Sequence, residues 1–391
     1  MKRSYVLIAA ALLAPVPWVV LRLAGVHAAP LATVLLSGVA ILASAFLLSW
    51  AAEVAQMDIS QSLAMAFLAL IAILPEYSVD MTFAWRAGQD PRFAPYAVAN
   101  MTGANRLLIG LGWSSVVLAA CWRTRQRSVN LAGVPFLELG LLWAATLYSL
   151  VLPIKGTLSL IDAVVLLLLF GYYMRVASKA GRSEPELVGP AECIGALPRS
   201  RRRGATLALF LVAAGAICLS AGPFAHGLVL LGQTMKVDRF LLVQWVAPLA
   251  SEAPEFLVAG LLALRGKGRA GLSVMISSKV NQWTLLVGLL PVVYGASTWF
   301  HKRHLDLAMR LDGRQTEELL LTSAQSAFAA ALLQRGHLSW RGAVALLGLF
   351  VVQFAVTDTR GRILFAIAYL VMTLLILGWH FLGGRWREAR G

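Results

Sequence analysis

Two short acidic clusters interrupt an otherwise apolar chain. Glu76 follows Pro75 and an uncharged run from Ala64 to Leu74. Far along the sequence, Ser251-Glu252-Ala253-Pro254-Glu255 sets the same Pro-Glu pair inside another apolar stretch. A proline removes a backbone donor and strands the carbonyl one turn back. Beside a carboxylate in mid-span, it predicts a local break where free carbonyls and side-chain oxygens converge on a cation. Glu252 and Glu255 are three apart and share a helix face, and Asp80 lies one turn past Glu76 on its own face. Asn100 and Asn105 follow within Ala99-Asn100-Met101-Thr102-Gly103-Ala104-Asn105. The later region offers Ser277, Ser278 and Asn281, with Ser277 and Asn281 four apart and so on one helix face. Carboxylates, amides and hydroxyls form a hard, oxygen-only donor set that suits Ca2+, Na+ or protons and does not suit zinc or copper.

Each of these residues has an ordinary alternative. A membrane glutamate can be protonated and hydrogen-bonded, and a proline can simply kink its helix. Finding Pro-Glu in both regions favours the functional reading, because charge in hydrocarbon costs several kcal/mol. Asp80 is open to either reading. Glu53, Glu138, Asp162 and Asp358 fall near span ends and read as interfacial anchors, and Trp18, Trp50, Trp299 and Trp379 as an aromatic belt.

The elements that must position these residues follow from composition. Of 391 residues, 59% are apolar or aromatic and 14% charged, against about 25% charged in a soluble domain. That excludes a soluble enzyme, a disordered chain and a secreted disulfide scaffold, and the continuous apolar runs exclude an outer-membrane barrel. The net charge of +15 is concentrated in short stretches such as Arg123 to Arg127 and Arg199 to Arg203. Positive-inside bias and anionic headgroups explain that placement, and nothing else points to nucleic acid. Cys121, Cys193 and Cys218 have no metal or redox spacing. No phosphate loop, catalytic triad or haem pattern is present, so no cofactor and no covalent chemistry are expected beyond the cations themselves. Met1-Lys2-Arg3 and the apolar run after it read as a first transmembrane helix, for want of a cleavage site.

Twelve windows meet the length for a span: 5–24, 31–55, 60–86, 93–120, 131–151, 157–178, 204–233, 239–264, 271–297, 316–334, 338–357 and 361–382. The hydrophilic stretch 179–203 reads as a basic cytoplasmic linker. Counting spans from it places both termini on the cytoplasmic side, in the cell (inner) membrane. The basic loop 298–315 falls on the other side, which calls for an amphipathic interfacial segment or a different local span count.

The two sides of that linker repeat each other. Gly156-Thr157-Leu158-Ser159 recurs as Gly336-His337-Leu338-Ser339, 180 residues on, Pro75-Glu76 recurs as Pro254-Glu255 at 179, and Asn105 as Asn281 at 176. Five spans separate each element from its copy, and an odd number inverts the copy in the membrane. The fold expected is all-α and polytopic: two inverted five-helix repeats at 31–178 and 204–357, with an extra helix within 1–30 and another, with a basic tail, within 358–391. Such repeats carry their substrate site near the midplane, where they meet.

At this point the sequence resembles the calcium/cation antiporter superfamily, the sodium/calcium exchanger type, over about residues 34–357. That family carries two repeats, each with a motif like G-[TS]-S-x-P-E on one helix and G-N-x-x-G-S-N on the next. Residues 72–76 (AILPE) match the first motif through Pro75 and Glu76, and Asn100, Gly103 and Asn105 match the second. In the second repeat Ser251, Pro254 and Glu255 match the first motif, and Ser277 and Asn281 the second. The resemblance implies a midplane cation site with Glu76 and Glu255 as central carboxylates and Asn105 and Asn281 beside them as metal ligands. Ser251, Glu252, Ser277 and Asn100 are further candidate ligands. Departures are plain: Ala72 and Ile73 replace hydroxyl residues, Glu252 replaces a serine, Ile276 an asparagine and Lys279 a glycine, and Arg106 follows Asn105.

The function this implies is secondary active antiport of Ca2+, or another cation, against Na+ or H+ by alternating access. Glu76, Glu252 and Glu255 against Lys279 leave a net charge of −2 if all four reach the site. Lys279 is then a built-in cation favouring monovalent ions or protons over several calcium ions, unless it faces Glu252 or a neighbouring helix. The alternatives are a monovalent cation/proton antiporter on the same scaffold, a membrane-embedded enzyme using the glutamates as acid and base, and a degenerate, non-transporting homologue. Paired motifs in inverted halves count against the enzyme.

Overall fold

The computed structural model describes residues 2–26, 28–58, 74–131, 136–177, 187–356 and 358–388. In lipid the backbone must satisfy its own hydrogen bonds, so uncharged apolar runs become helices. Helices α1 (Lys2–Leu13) and α2 (Val16–Leu23) are two pieces of one apolar stretch, parted at Ala14-Pro15. There follow α3 (Pro30–Ala55), α4 (Leu74–Gln89), α5 (Ala94–Leu107) and α6 (Ser114–Thr124), the last two joined by a π-helical turn, Leu108–Trp113. After β1 (Ser128–Asn130) come α7 (Phe136–Ser149), α8 (Val151–Lys155), β2 (Thr157–Ser159), α9 (Leu160–Ala177) and α10 (Pro190–Gly195). The second half runs α11 (Arg199–Met235), α12 (Arg239–Leu264), α13 (Gly268–Asn281), a π-helical turn (Gln282–Leu286) and α14 (Val287–Lys302). It ends with β3 (Ala308–Arg310), α15 (Gly313–Leu333), β4 (His337–Ser339), α16 (Trp340–Ala355) and α17 (Thr359–Glu388).

Among the described residues nine helices are long and apolar enough to cross a membrane. The three other expected windows are accounted for. The window 60–86 is described only from Leu74; α15 carries buried polar residues along its length; α16 is short, at 16 residues. The chain is an all-α polytopic membrane protein with two related halves and an added helical segment at each end.

The repeat is visible in hydrogen bonds. Strand β1 pairs antiparallel with β4, and β2 with β3. Ser128 faces Ser339 as Ala308 faces Ser159, and each first-half residue has its own copy 180 positions on, Ser128 in Ala308 and Ser159 in Ser339. The flanking bonds repeat as well: Leu131 N donates to Gly336 O as Leu311 N donates to Gly156 O. Gly156 and Gly336 take φ of 67° and 69°, a left-handed turn that glycine adopts without steric cost. The basic loop 298–315, expected as an amphipathic interfacial segment or a change of span count, contains the end of α14 and β3, which pairs with β2.

Two compact units emerge, and neither is a sequence half. The first holds 1–104, 170–258 and 289–306; the second holds 105–169, 259–288 and 307–391. In the first, α3 packs along α11, its own copy in the repeat. Here Trp50 is buried with Leu47, Leu48 and Val54, and Ala191 and Ile194 of α10 join the same cluster. Trp18 is also buried. These two tryptophans are core residues rather than the expected belt, while Trp299 and Trp379 are exposed.

The segment expected as a linker, 179–203, is docked where it is described. Glu53 accepts from Val188 N at 3.2 Å, and Asp58 is held by Arg202 at 2.7 Å, Arg203 at 3.2 Å and Arg199 at 3.5 Å. The hydrogen bond from Arg202 is the largest cause holding the Asp58 carboxyl below its usual range.

The other acids expected as interfacial anchors also have partners inside the protein. Asp162 accepts from Tyr148 OH at 2.7 Å and Ser159 N at 2.6 Å and is bridged by Lys155, closing the start of α9 like the acidic arm of a capping box. Asp358 accepts from Gly361 N at 2.8 Å at the start of α17.

Candidate cation site

In the first unit, α4 carries Glu76 and Asp80 on one face, 4% and 0% exposed. Asn100 of α5 donates to Asp80 Oδ1 at 2.9 Å. Asp80 Oδ2 and Asn100 Oδ1 have no hydrogen-bond partner among the described residues. They leave two buried acceptor oxygens, the atoms a hard cation takes. On α12, the copy of α4, Ser251 and Glu252 are buried and Glu255 is partly buried; Glu76 and Glu255 belong to the same compact unit.

The expected break at Pro254 is not there: α12 runs without interruption through Pro248 and Pro254. A proline removes one ladder bond, and neighbouring groups can take up the freed carbonyls. Between the two prolines Ser251 Oγ donates to the carbonyls of Ala247 at 3.3 Å and Pro248 at 3.4 Å. These are carbonyls one turn back from Ser251 itself; the two that the prolines free belong to Gln244 and Ala250. For Pro75 the carbonyl one turn back belongs to residue 71, outside the described residues, as do Ala72 and Ile73.

Pro248 frees the carbonyl of Gln244, and Gly103 of α5 lies directly against it. A Cβ at Gly103 would come within 1.8 Å of Gln244 O. The Gln244 side chain donates to Thr102 Oγ1 at 3.3 Å, tying the same two helices together. This glycine, matched to the second motif by sequence, is a contact between backbones.

In the second unit, Asn105 is fully buried and its Oδ1 accepts from Lys279 Nζ at 2.6 Å. Lys279 itself is 0% exposed, and its ammonium stands 4.1 Å from the centre of the Trp283 ring. A cation over an indole face is attracted by the ring quadrupole. Lys279 thus turns to the neighbouring helix α5, one of the two outcomes expected for it. Asn100 and Asn105 stand about 140° apart around α5, which is why one serves Asp80 and the other Lys279.

Ser277 donates to Glu138 Oε1 at 2.8 Å. Glu138, expected as an interfacial anchor, therefore joins the polar network of the predicted ligands. Its only sequence signal was an acid about two turns inside the apolar window 131–151. Asn281 ends α13, mostly buried, with Oδ1 lacking a partner among the described residues. No group of three or more His, Cys, Asp or Glu that could hold a metal is found among the described residues.

Inverted repeats with paired acidic helices define a polytopic membrane protein built as secondary transporters are built. The sequence model of the sodium/calcium exchanger protein family matches residues 29–179 and 205–357, and the chain belongs to that family. Among solved structures it is similar to the crystal structure of the H+/Ca2+ exchanger CAX, with 41% identity and a TM-score of 0.91 over 96% of this chain and 94% of that one. The structure of native YfkE matches at 15% identity and a TM-score of 0.64, over 94% and 99% of the two chains. The sodium-calcium exchanger NCX_Mj matches at 15% and 0.54, over 84% and 98%. These last two show the fold alone. No curated protein matches the chain.

Proposed function

We propose that this protein is a secondary active cation antiporter that exchanges Ca2+ against H+ or Na+. One observation carries the reading: the repeat places Glu76 on α4 and Glu252 with Glu255 on α12, all inside one compact unit. Charge in hydrocarbon is costly and is retained where it works. The 41% identity to an H+/Ca2+ exchanger over nearly the whole chain favours H+ as the counter-ion. Glu76 and Glu255 are the central carboxylates, and Asn105 and Asn281 the amide ligands. Asn100, Ser251, Glu252 and Ser277 complete the polar surround, with Asp80 and Lys279 as modulators. Shared carboxylates cannot neutralise two cation types at once, so occupancy alternates and exchange follows as the repeats open the site to each side in turn. The protein sits in the cell (inner) membrane with both termini cytoplasmic, as the basic loops favour.

The test is Ca2+ flux in liposomes under imposed pH, Na+ and K+ gradients. Wild-type protein is expected to move Ca2+ against a proton gradient, and Glu76→Gln and Glu255→Gln each to lose that flux while remaining folded. Full flux in both variants would overturn the assignment.

A second reading rests on Lys279. Its ammonium occupies the amide oxygen of Asn105, an expected ligand, at 2.6 Å. A tethered cation there favours transport of protons or single monovalent ions over calcium. It predicts proton-coupled Na+ or K+ flux exceeding Ca2+ flux in the same liposomes.

A further inference from the structure

Behind α4, away from its acids, the first unit holds a cavity of about 570 Å3. Ser78, Met81, Thr82, Trp85, Arg86 and Gln89 supply the α4 wall. Ser78 stands about 200° around the helix from both Glu76 and Asp80, so this cavity is distinct from the proposed cation site. From Ser78 to Gln89 it follows α4 for roughly 16 Å at 1.5 Å per residue.

The two ends differ in chemistry. At the outer end stand Arg86, Gln89 and the Trp85 indole, where α4 leaves its span. The apolar part of the lining is Met81 of α4, Ala221 and Gly222 of α11 and Val293 of α14. Thr82 spends its hydroxyl on Ser78 O at 2.6 Å.

Arg86 is the telling residue. It is half-buried, and among the described residues it meets no carboxylate. Asp90, four residues on, is bound instead by Arg92 at 2.8 Å. Arg86 Nη1 donates to His226 Nδ1 at 2.8 Å, and the guanidinium stands 5.5 Å from the centre of the Phe93 ring. Two neutral groups therefore fix its position without neutralising it. A guanidinium has five donors in a rigid fork suited to phosphate, and one nitrogen's bond to a ring leaves the rest of the fork to serve.

We propose that this cavity binds an anionic phospholipid, with the headgroup phosphate on Arg86 and Gln89 and an acyl chain along Met81, Ala221, Gly222 and Val293. A pocket with one cationic end and an apolar inner wall fits an amphiphile better than a free ion. Its volume lies within the range of small-molecule pockets, about 300–1,000 Å3, room for a headgroup and part of a chain.

The experiment measures lipid retention by the purified protein in mixed phosphatidylglycerol/phosphatidylcholine vesicles, read by native mass spectrometry. Wild type is expected to retain phosphatidylglycerol over phosphatidylcholine by on the order of tenfold, the worth of one charged contact. Arg86→Gln should erase the preference and Arg86→Lys keep part of it. Gly222→Leu should expel the lipid with Arg86 intact, because a Cβ at Gly222 meets nothing within 4 Å. Inorganic phosphate should not displace the lipid; displacement would assign the site to a free anion and overturn the proposal. Cys218 lines the same cavity and is a built-in reporter. Rapid modification of Cys218 by a charged, membrane-impermeant thiol reagent in phosphatidylglycerol vesicles, absent in Cys218→Ser, would mean the cavity is filled with water. Equal retention of the two lipids, or a preference untouched by Arg86→Gln and Gly222→Leu, would also sink it.

Discussion

Lys279 occupies the repeat position of Gly103, and the two residues do opposite things. Gly103 lets α5 touch the backbone of α12, while Lys279 reaches out of α13 to the amide of Asn105. A buried ammonium beside an intended cation ligand competes by charge, and at a few ångströms in a low-dielectric setting such an interaction is worth several kcal/mol. Lys279→Met keeps most of the volume and removes the charge. We expect it to raise apparent Ca2+ affinity in the liposome flux assay by about tenfold or more. An unchanged affinity would show that the ammonium does not compete. The substitution of glycine by lysine was legible in the sequence. Its partner was not, because a helical wheel gives the direction of a side chain and not the neighbour that receives it. The same limit explains Glu138. Its place near a span end suggested an anchor, and only the packing of α7 and α13 reveals Ser277 as its donor.

Among the elements, apolar runs marked the long helices well, because a span must be continuous and uncharged to cross hydrocarbon. The short strands escaped detection as strands, since three residues show no alternation. They were legible only as repeats: the Gly156 and Gly336 copies seen in the sequence turn out to open β2 and β4. The proline break was over-read on α12, which runs unbroken through Pro248 and Pro254 with Gly103 packed against the carbonyl that Pro248 frees. That contact sets a sharp prediction. In Gly103→Ala the new methyl would meet a backbone oxygen at 1.8 Å, and a carbonyl cannot swing aside as a side chain can. Overpacking of this kind should cost about 3 kcal/mol or more, read as a large fall in the Tm of the detergent-purified protein. Gly260→Ala on α12, where a Cβ meets nothing within 4 Å, should leave Tm unchanged or slightly raised, as alanine favours helix. Equal behaviour of the two variants would mean that the helices part easily at Gly103.

At the scale of the molecule, the C-terminal helix is no mere addition to the ten-helix core. In the second unit Arg106, next to Asn105 on α5, lies 2.6 Å from Glu318 of α15, which lies 2.7 Å from Arg362 of α17. All three side chains are 5% exposed or less. The triad joins the helix of a candidate ligand to the last helix through a single carboxylate. Its logic is asymmetric, because a buried charge is tolerable when paired and costly when stranded. Removing Glu318 leaves two guanidiniums without their shared anion, whereas removing Arg362 leaves the Arg106–Glu318 pair intact. Glu318→Gln should therefore cost about 3–5 kcal/mol, and Arg362→Gln clearly less, both read as Tm in detergent. The double variant Glu318→Gln/Arg362→Gln should recover part of the loss, since one of the stranded charges has gone. If Arg362→Gln proves as damaging as Glu318→Gln and the double variant recovers nothing, α17 is held by its apolar packing and the triad does not organise the fold. If the asymmetry holds, flux by Arg362→Gln then measures how far the last helix reaches toward Asn105, through Glu318 and Arg106.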